Sequence, residues 1–193
     1  NLQGIQNFAS LPNLERLSIT NNENTPLLVN VTQNLALSDI NLSSNDMSVL
    51  DLTQNVLLED INISNNEFTT IDLTQNVLLE DLNVSSNNLP TLNVTQNVLL
   101  EYLYAGNNLL PNLDVTNNVE LRQIIISNNL FTTTGLDLSQ NVELNYIDIS
   151  NNQVESLFIL DNVNLVSFLA NNNLLSGTDI LDQLFIVKSG YFG

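Results

Sequence analysis

Residues 51–103 read DLTQNVLLEDINISNNEFTTIDLTQNVLLEDLNVSSNNLPTLNVTQNVLLEYL, and within them DLTQNVLLED at 51–60 returns as DLTQNVLLED at 72–81 and as NVTQNVLLEY at 93–102. A chain that restates itself every 21 residues is built of stacked units, each too small to bury its own apolar side chains. Working outward from this stretch, units begin at Leu14, Leu37, Leu58, Leu79, Leu100, Leu121, Leu144 and Leu165, at spacings of 23, 21, 21, 21, 21, 23 and 21 residues. All eight fit the template LxxLxLxxNxL, as in LSDINLSSNDM, LEDLNVSSNNL and LRQIIISNNLF.

The LxL of the template puts two apolar side chains on one face of a short strand and the residue between them on the other. Stacked units then form a parallel sheet. The expected strands are 16–18, 39–41, 60–62, 81–83, 102–104, 123–125, 146–148 and 167–169. At about 4.8 Å between neighbours, eight coils extend roughly 35 to 40 Å. The ninth template position is Asn in every unit (Asn22, Asn45, Asn66, Asn87, Asn108, Asn129, Asn152 and Asn173). An inward amide can serve a neighbouring N–H and C=O together, so this column is expected to be a structural ladder.

A second half-motif follows each first one, as LVNVTQN, LDLTQN, IDLTQN, LNVTQN, LDVTNN and LDLSQN. Its alternation predicts an extended segment on the convex side rather than a helix. It carries its own column, Asn34, Asn55, Asn76, Asn97, Asn118, Asn141 and Asn162, expected to form a second ladder of the same kind. The many NxS and NxT triplets read as by-products of the repeat.

The template is the signature of a leucine-rich repeat, and its pairing with LDLTQN in 21 residues resembles the short bacterial repeats of Bacteroidetes surface proteins and, more distantly, the internalins. The resemblance spans about residues 14–175. It implies a curved right-handed solenoid with a concave parallel β-sheet, extended convex segments and little helix, and a role in extracellular recognition or adhesion. Many such relatives place Cys at the sixth template position, where this chain has Leu42, Ile63, Val84, Ala105, Ile126, Ile149 and Ala170. The family has no catalytic residues to carry over.

Residues 1–13 are expected to be a partial repeat or cap, and 176–193 a capping region with a helix over about 178–188, introduced by Thr178 and closed by Lys188 and Gly190. Beginning at Asn1 and ending at Gly193, the chain reads as part of a larger parent protein.

Composition narrows the function. With 21 acidic residues against 3 basic ones the net charge is −18, which opposes binding to nucleic acid and to anionic lipid. His and Cys are absent, which removes the imidazole base, the thiol nucleophile and the usual zinc and haem ligands. No apolar run has the length of a membrane span, so no membrane insertion is expected.

The outward columns of the sheet change character midway. The third template position runs Arg16, Asp39, Asp60, Asp81, Tyr102, Gln123, Tyr146, Ser167, and the fifth runs Ser18, Asn41, Asn62, Asn83, Tyr104, Ile125, Asp148, Leu169. Three stacked aspartates repel by about 1 kcal/mol per neighbouring pair in water. Arg16 beside Asp39 and Arg122 beside Glu101 could offset this, as could a cation, so Asp39, Asp60 and Asp81 are weak calcium candidates; no other cofactor is implied. An open ladder offers no pocket to tune a catalytic carboxylate. Exposed tyrosines and aliphatics gain nothing in stability, whereas aromatics and Arg dominate binding hot spots. The candidate ligand-binding patch is therefore Tyr102, Tyr104, Ile125, Tyr146 and Leu169, with Arg122 and Asp148 as polar members. The expected function is noncatalytic binding of a protein partner by a secreted or cell-surface bacterial protein. A carbohydrate-binding module and a structural spacer of an adhesin or enzyme are the alternatives. Asn62→Ala, in an outward column, is expected to cost under about 0.5 kcal/mol.

Overall fold

The computed structural model describes residues 5–22, 27–132, 136–159 and 161–176; the helix expected over 178–188 lies outside them. Among the described residues the chain is a parallel β-solenoid without helix. The main sheet holds eight strands: β2 (Arg16–Ser18), β4 (Asp39–Asn41), β5 (Asp60–Asn62), β6 (Asp81–Asn83), β7 (Tyr102–Tyr104), β8 (Gln123–Ile125), β10 (Tyr146–Asp148) and β12 (Ser167–Leu169). They pair in chain order, all parallel, each shifted by one repeat, so that Asp39 faces Asp60, Asp60 faces Asp81 and Asp81 faces Tyr102. The bounds are those expected from the LxL register.

Each strand is three residues long because its geometry is broken soon afterwards. The eighth template position (Asn21, Ser44, Asn65, Ser86, Asn107, Asn128, Asn151, Asn172) takes a left-handed backbone, φ 53–59°. Asn enters this region more readily than other non-glycine residues. That position is therefore a hinge: it turns the chain inward and aims the ninth-position Asn at the core.

The core is a continuous column. Leu58, Ile61, Ile63, Phe68 and Leu73 are buried from one coil, and Leu79, Leu82, Val84, Leu89 and Val94 from the two convex and concave halves that follow. The first asparagine ladder behaves as expected. Asn66 Nδ2 donates to the carbonyls of Leu42 (2.9 Å), Ile63 (3.0 Å) and Ser64 (3.1 Å), and its Oδ1 accepts from the N–H groups of Asn45 (3.2 Å) and Met47 (2.8 Å).

The second ladder differs from its expectation. Asn76 Nδ2 donates to Leu52 O (3.2 Å) and Asn55 O (2.9 Å), but its buried Oδ1 has no protein partner, and the same holds for the Oδ1 of Asn34, Asn55, Asn97, Asn118, Asn141 and Asn162. The convex turn consumes its own donors: Asn55 N–H goes to Leu52 O (3.0 Å) and Leu58 N–H to Asn55 O (3.2 Å). This ladder therefore supplies donors only.

The convex segments are extended before these turns but pair as strands at two places. β1 (Ile5–Asn7) pairs with β3 (Leu28–Asn30), and β9 (Leu136–Asp137) with β11 (Leu157–Phe158). Both pairs include a unit that is 23 residues long. The acids Asp51, Asp72 and Asp114 on this side are not simply pointed at water. Each carboxylate accepts the N–H and hydroxyl of the Thr two residues on (Asp51 from Thr53 at 3.0 and 2.7 Å), fixing the turn, and those hydrogen bonds hold the carboxyls below the usual carboxylate range.

Candidate functional site

The outward face of the main sheet carries the two columns on which site residues were expected. Tyr102 and Tyr104 flank the buried Leu103 on β7, Gln123 and Ile125 flank Ile124 on β8, and Tyr146 and Asp148 flank Ile147 on β10. The register sets Tyr104 beside Ile125 and Ile125 beside Asp148, with Leu169 next to Asp148 on the terminal strand β12. Tyr146 lies beside Gln123 rather than beside a tyrosine. These side chains are half-buried, while Leu169 is 37% exposed.

Gln123, which was not singled out from sequence, stands at the centre of this group: the Tyr104 hydroxyl donates to its Oε1 at 3.3 Å. Its presence in the third column between two tyrosines was the available signal. Burial, followed by the charge of Asp81 and then Tyr102, raises the Tyr104 phenol above its ordinary value, so it remains a donor.

Two polar members are already engaged. Arg122 pairs with Glu101 at 3.2 Å. Asp148 Oδ1 accepts the Ser150 N–H (2.9 Å) and hydroxyl (2.6 Å). The same arrangement recurs as Asn41 with Ser43 and Asn62 with Ser64, while Asn83 accepts the N–H of Ser85. The fifth column thus closes its own turns through Oδ1, and the Nδ2 of Asn41, Asn62 and Asn83 has no hydrogen-bond partner among the described residues. Asn62 is accordingly worth more to the fold than a plain outward residue.

The acidic half is not a flat ladder. Asp39, Asp60, Asp81, Asn41, Asn62 and Asn83 line, with Tyr104, a depression of about 360 Å³. Asp81 is pushed up to about 6 by partial burial, then by hydrogen bonding to Asp60, and then by the charges of Asp60, Glu101 and Glu80. The Asp81 carboxyl therefore holds its proton to higher pH than an ordinary aspartate. At the end of the ladder Arg16 approaches Asp39 only to 4.0 Å. Among the described residues no group of three or more acids is placed to hold a metal ion. No helix among them is long and apolar enough to cross a membrane.

No family model and no curated protein matches the chain. Solved structures do. The functional domain of InlJ from Listeria monocytogenes, which includes a cysteine ladder, shares 26% identity at a TM-score of 0.76, over 89% of this chain and 42% of that one. A leucine-rich repeat protein of Leptospira interrogans gives 22% and 0.81, over 92% and 49%. YopM, a leucine-rich effector protein from Yersinia pestis, gives 30% and 0.69, over 85% and 45%. The chain spans less than half the length of each. Together with the repeat geometry, these likenesses establish the fold: the chain is a leucine-rich repeat solenoid whose structural neighbours include bacterial leucine-rich repeat proteins.

Proposed function

We propose that this chain is a noncatalytic recognition domain of a secreted or cell-surface bacterial protein and that it binds a protein partner through the concave sheet. The observation that carries this reading is the half-buried group of Tyr102, Tyr104, Ile125 and Tyr146, on three adjacent strands of one rigid sheet, with Leu169 beyond them at its end. Such side chains are pre-ordered, so little rotamer entropy is lost when a partner covers them. Arg122 and Asp148, held by Glu101 and Ser150, form a polar margin of fixed geometry.

A second reading rests on the depression. Tyr104 stands at one end of a trough lined by three carboxyls and three amides with unpartnered Nδ2 groups, a combination that suits stacking on a sugar and hydrogen bonding to its hydroxyls. A glycan array and a pull-down from the native surroundings separate the two. For a protein partner, Tyr102→Ser/Tyr104→Ser/Tyr146→Ser abolishes capture while the unfolding midpoint moves little. If binding survives that change and is lost in Asp39→Asn/Asp60→Asn/Asp81→Asn, the trough is the recognition surface and the aromatic group is not.

A further inference from the structure

A second surface lies off the concave sheet. After Asn55, Asn76 and Asn97 the chain continues Val-Leu-Leu, and only the last of these three enters the core. Val56, Val77, Val98, Val119 and Val142 are 41–46% exposed, and Leu57, Leu78 and Leu99 beside them 36–46%. These rows are in register, because each valine follows an asparagine whose Nδ2 grips the corresponding carbonyl one coil back: Asn76 to Asn55 O at 2.9 Å, Asn97 to Asn76 O at 2.8 Å and Asn118 to Asn97 O at 2.7 Å. Leu35 (56%) and Val163 (55%) extend the valine row at either end.

A valine or leucine exposed to this degree shows roughly 70 Å², so the ridge presents on the order of 700 Å² of aliphatic surface, above the largest patch of an ordinary monomer. That approaches the roughly 800 Å² that one side of a standard interface buries. Its margins are unequal. Gln54, Gln75 and Gln96 run along one side. Glu59, Glu80 and Glu101 run along the other, and Glu120 and Glu143 replace the leucines in the later coils. Arg122 is the one described basic residue there, and Glu101 already holds it.

We propose that this ridge docks an amphipathic α-helix of a partner protein, with aliphatic residues along its contact stripe and Lys or Arg along one margin. A helix advances about 5.4 Å per turn and the coils about 4.8 Å, so each of roughly four turns meets one coil before the registers separate. The acidic margin selects the basic side and sets the helix direction. A second copy of this chain is opposed by like charge, since each carries −18 and would bring glutamates against glutamates.

The test uses the full chain and a synthetic 18-residue helix of Leu and Lys, with Leu at helical spacing and Lys along one margin. Its control is a scrambled peptide of identical composition, and both are titrated by calorimetry in physiological salt. The ordered peptide is expected to bind at least about tenfold more tightly than the scramble. The preference is expected to vanish in Val56→Asn/Val77→Asn/Val98→Asn and, as an independent variant checked by circular dichroism, in Leu57→Gln/Leu78→Gln/Leu99→Gln. It is expected to persist in the triple tyrosine variant, which separates this surface from the concave one. Equal binding of both peptides, no binding up to about 1 mM, or undiminished preference in both folded ridge variants overturns the proposal. So does a dimer of the unliganded chain in sedimentation that the valine variant dissolves, which would identify a second copy as the occupant.

Discussion

Replacing one asparagine from each ladder by alanine separates two chemically identical substitutions at equally periodic positions. In Asn66→Ala the N–H groups of Asn45 and Met47 lose Oδ1, which is the one acceptor either has. Two buried donors are left unsatisfied, at about 1 to 3 kcal/mol each. The carbonyls of Leu42, Ile63 and Ser64 lose a donor but retain others, from Asn45, Asn87 and the N–H of Ser44. The expected cost is about 3 to 4 kcal/mol. In Asn76→Ala the carbonyls of Leu52 and Asn55 keep their turn bonds from Asn55 and Leu58, and an acceptor that was already unsatisfied is removed. The two lost bonds are partly offset, for a net cost of about 1 kcal/mol. With an m-value near 2 kcal/mol/M in urea, the midpoints fall by about 1.5 to 2 M and about 0.5 M respectively. The assay is equilibrium unfolding followed by far-ultraviolet circular dichroism and by tyrosine fluorescence, with coincident transitions required. Equal midpoints, or a larger loss in Asn76→Ala, would refute the distinction between a ladder that accepts and one that only donates.

Asn62→Ala is expected to cost about 1 kcal/mol, because Oδ1 accepts both the N–H and the hydroxyl of Ser64, and urea midpoints against Asn62→Asp, which keeps the acceptor, check this. Asp81 has a folded pKa near 6, above its unfolded value, so the folded state binds more protons between about pH 4 and 6 and stability declines as pH rises through that window. Asp81→Asn should flatten this decline, and an unchanged slope would remove Asp81 as its cause. Asp51, Asp72, Asp114 and Asp137 are shifted the other way, so their contribution is present above about pH 4 and is lost on further acidification. Replacing Thr53 and Thr74 by Val should move both Asp51 and Asp72 back toward the ordinary carboxylate value in a carbon-detected NMR titration.

The strands were legible because two signals coincide at each of them. Ile61 and Ile63, or Leu82 and Val84, alternate inward about one outward residue, and the 21-residue period lays each such pair beside the next. The outward columns followed from the same register, which is why Asp39, Asp60 and Asp81 lie in line. What alternation alone does not convey is which donors the backbone has already spent. Asn76 and Asn66 look alike in sequence, and they differ because the convex turn occupies its own N–H groups. The left-handed φ of Asn65 had a signal, the run of Asn and Ser before each ladder asparagine, but alternation alone does not specify the sign of φ. The depression over Asp60 and Asp81 depends on how side chains lean across neighbouring strands, which register does not specify. The aliphatic ridge was present in the sequence as NVLLE. A run of three apolar residues reads as core until the coil shows room for only the third.

Every ladder bond described for Asn66 and Asn76 reaches either within its own coil or back to the coil before it. The stack is therefore polar, like a filament with distinct ends. Each coil is completed by the asparagines of its successor and never by those of its predecessor. Removing coils from the C-terminal side strips the last remaining one of the ladder side chains that satisfy its backbone, whereas removing them from the N-terminal side leaves the ladder of the new first coil intact and frees its amides and the backbone N–H groups, such as those of Glu59 and Glu67, that donate one coil back. Truncations of equal length from the two ends should therefore differ in stability, and a functional fragment is better cut from the front of this solenoid than from its back.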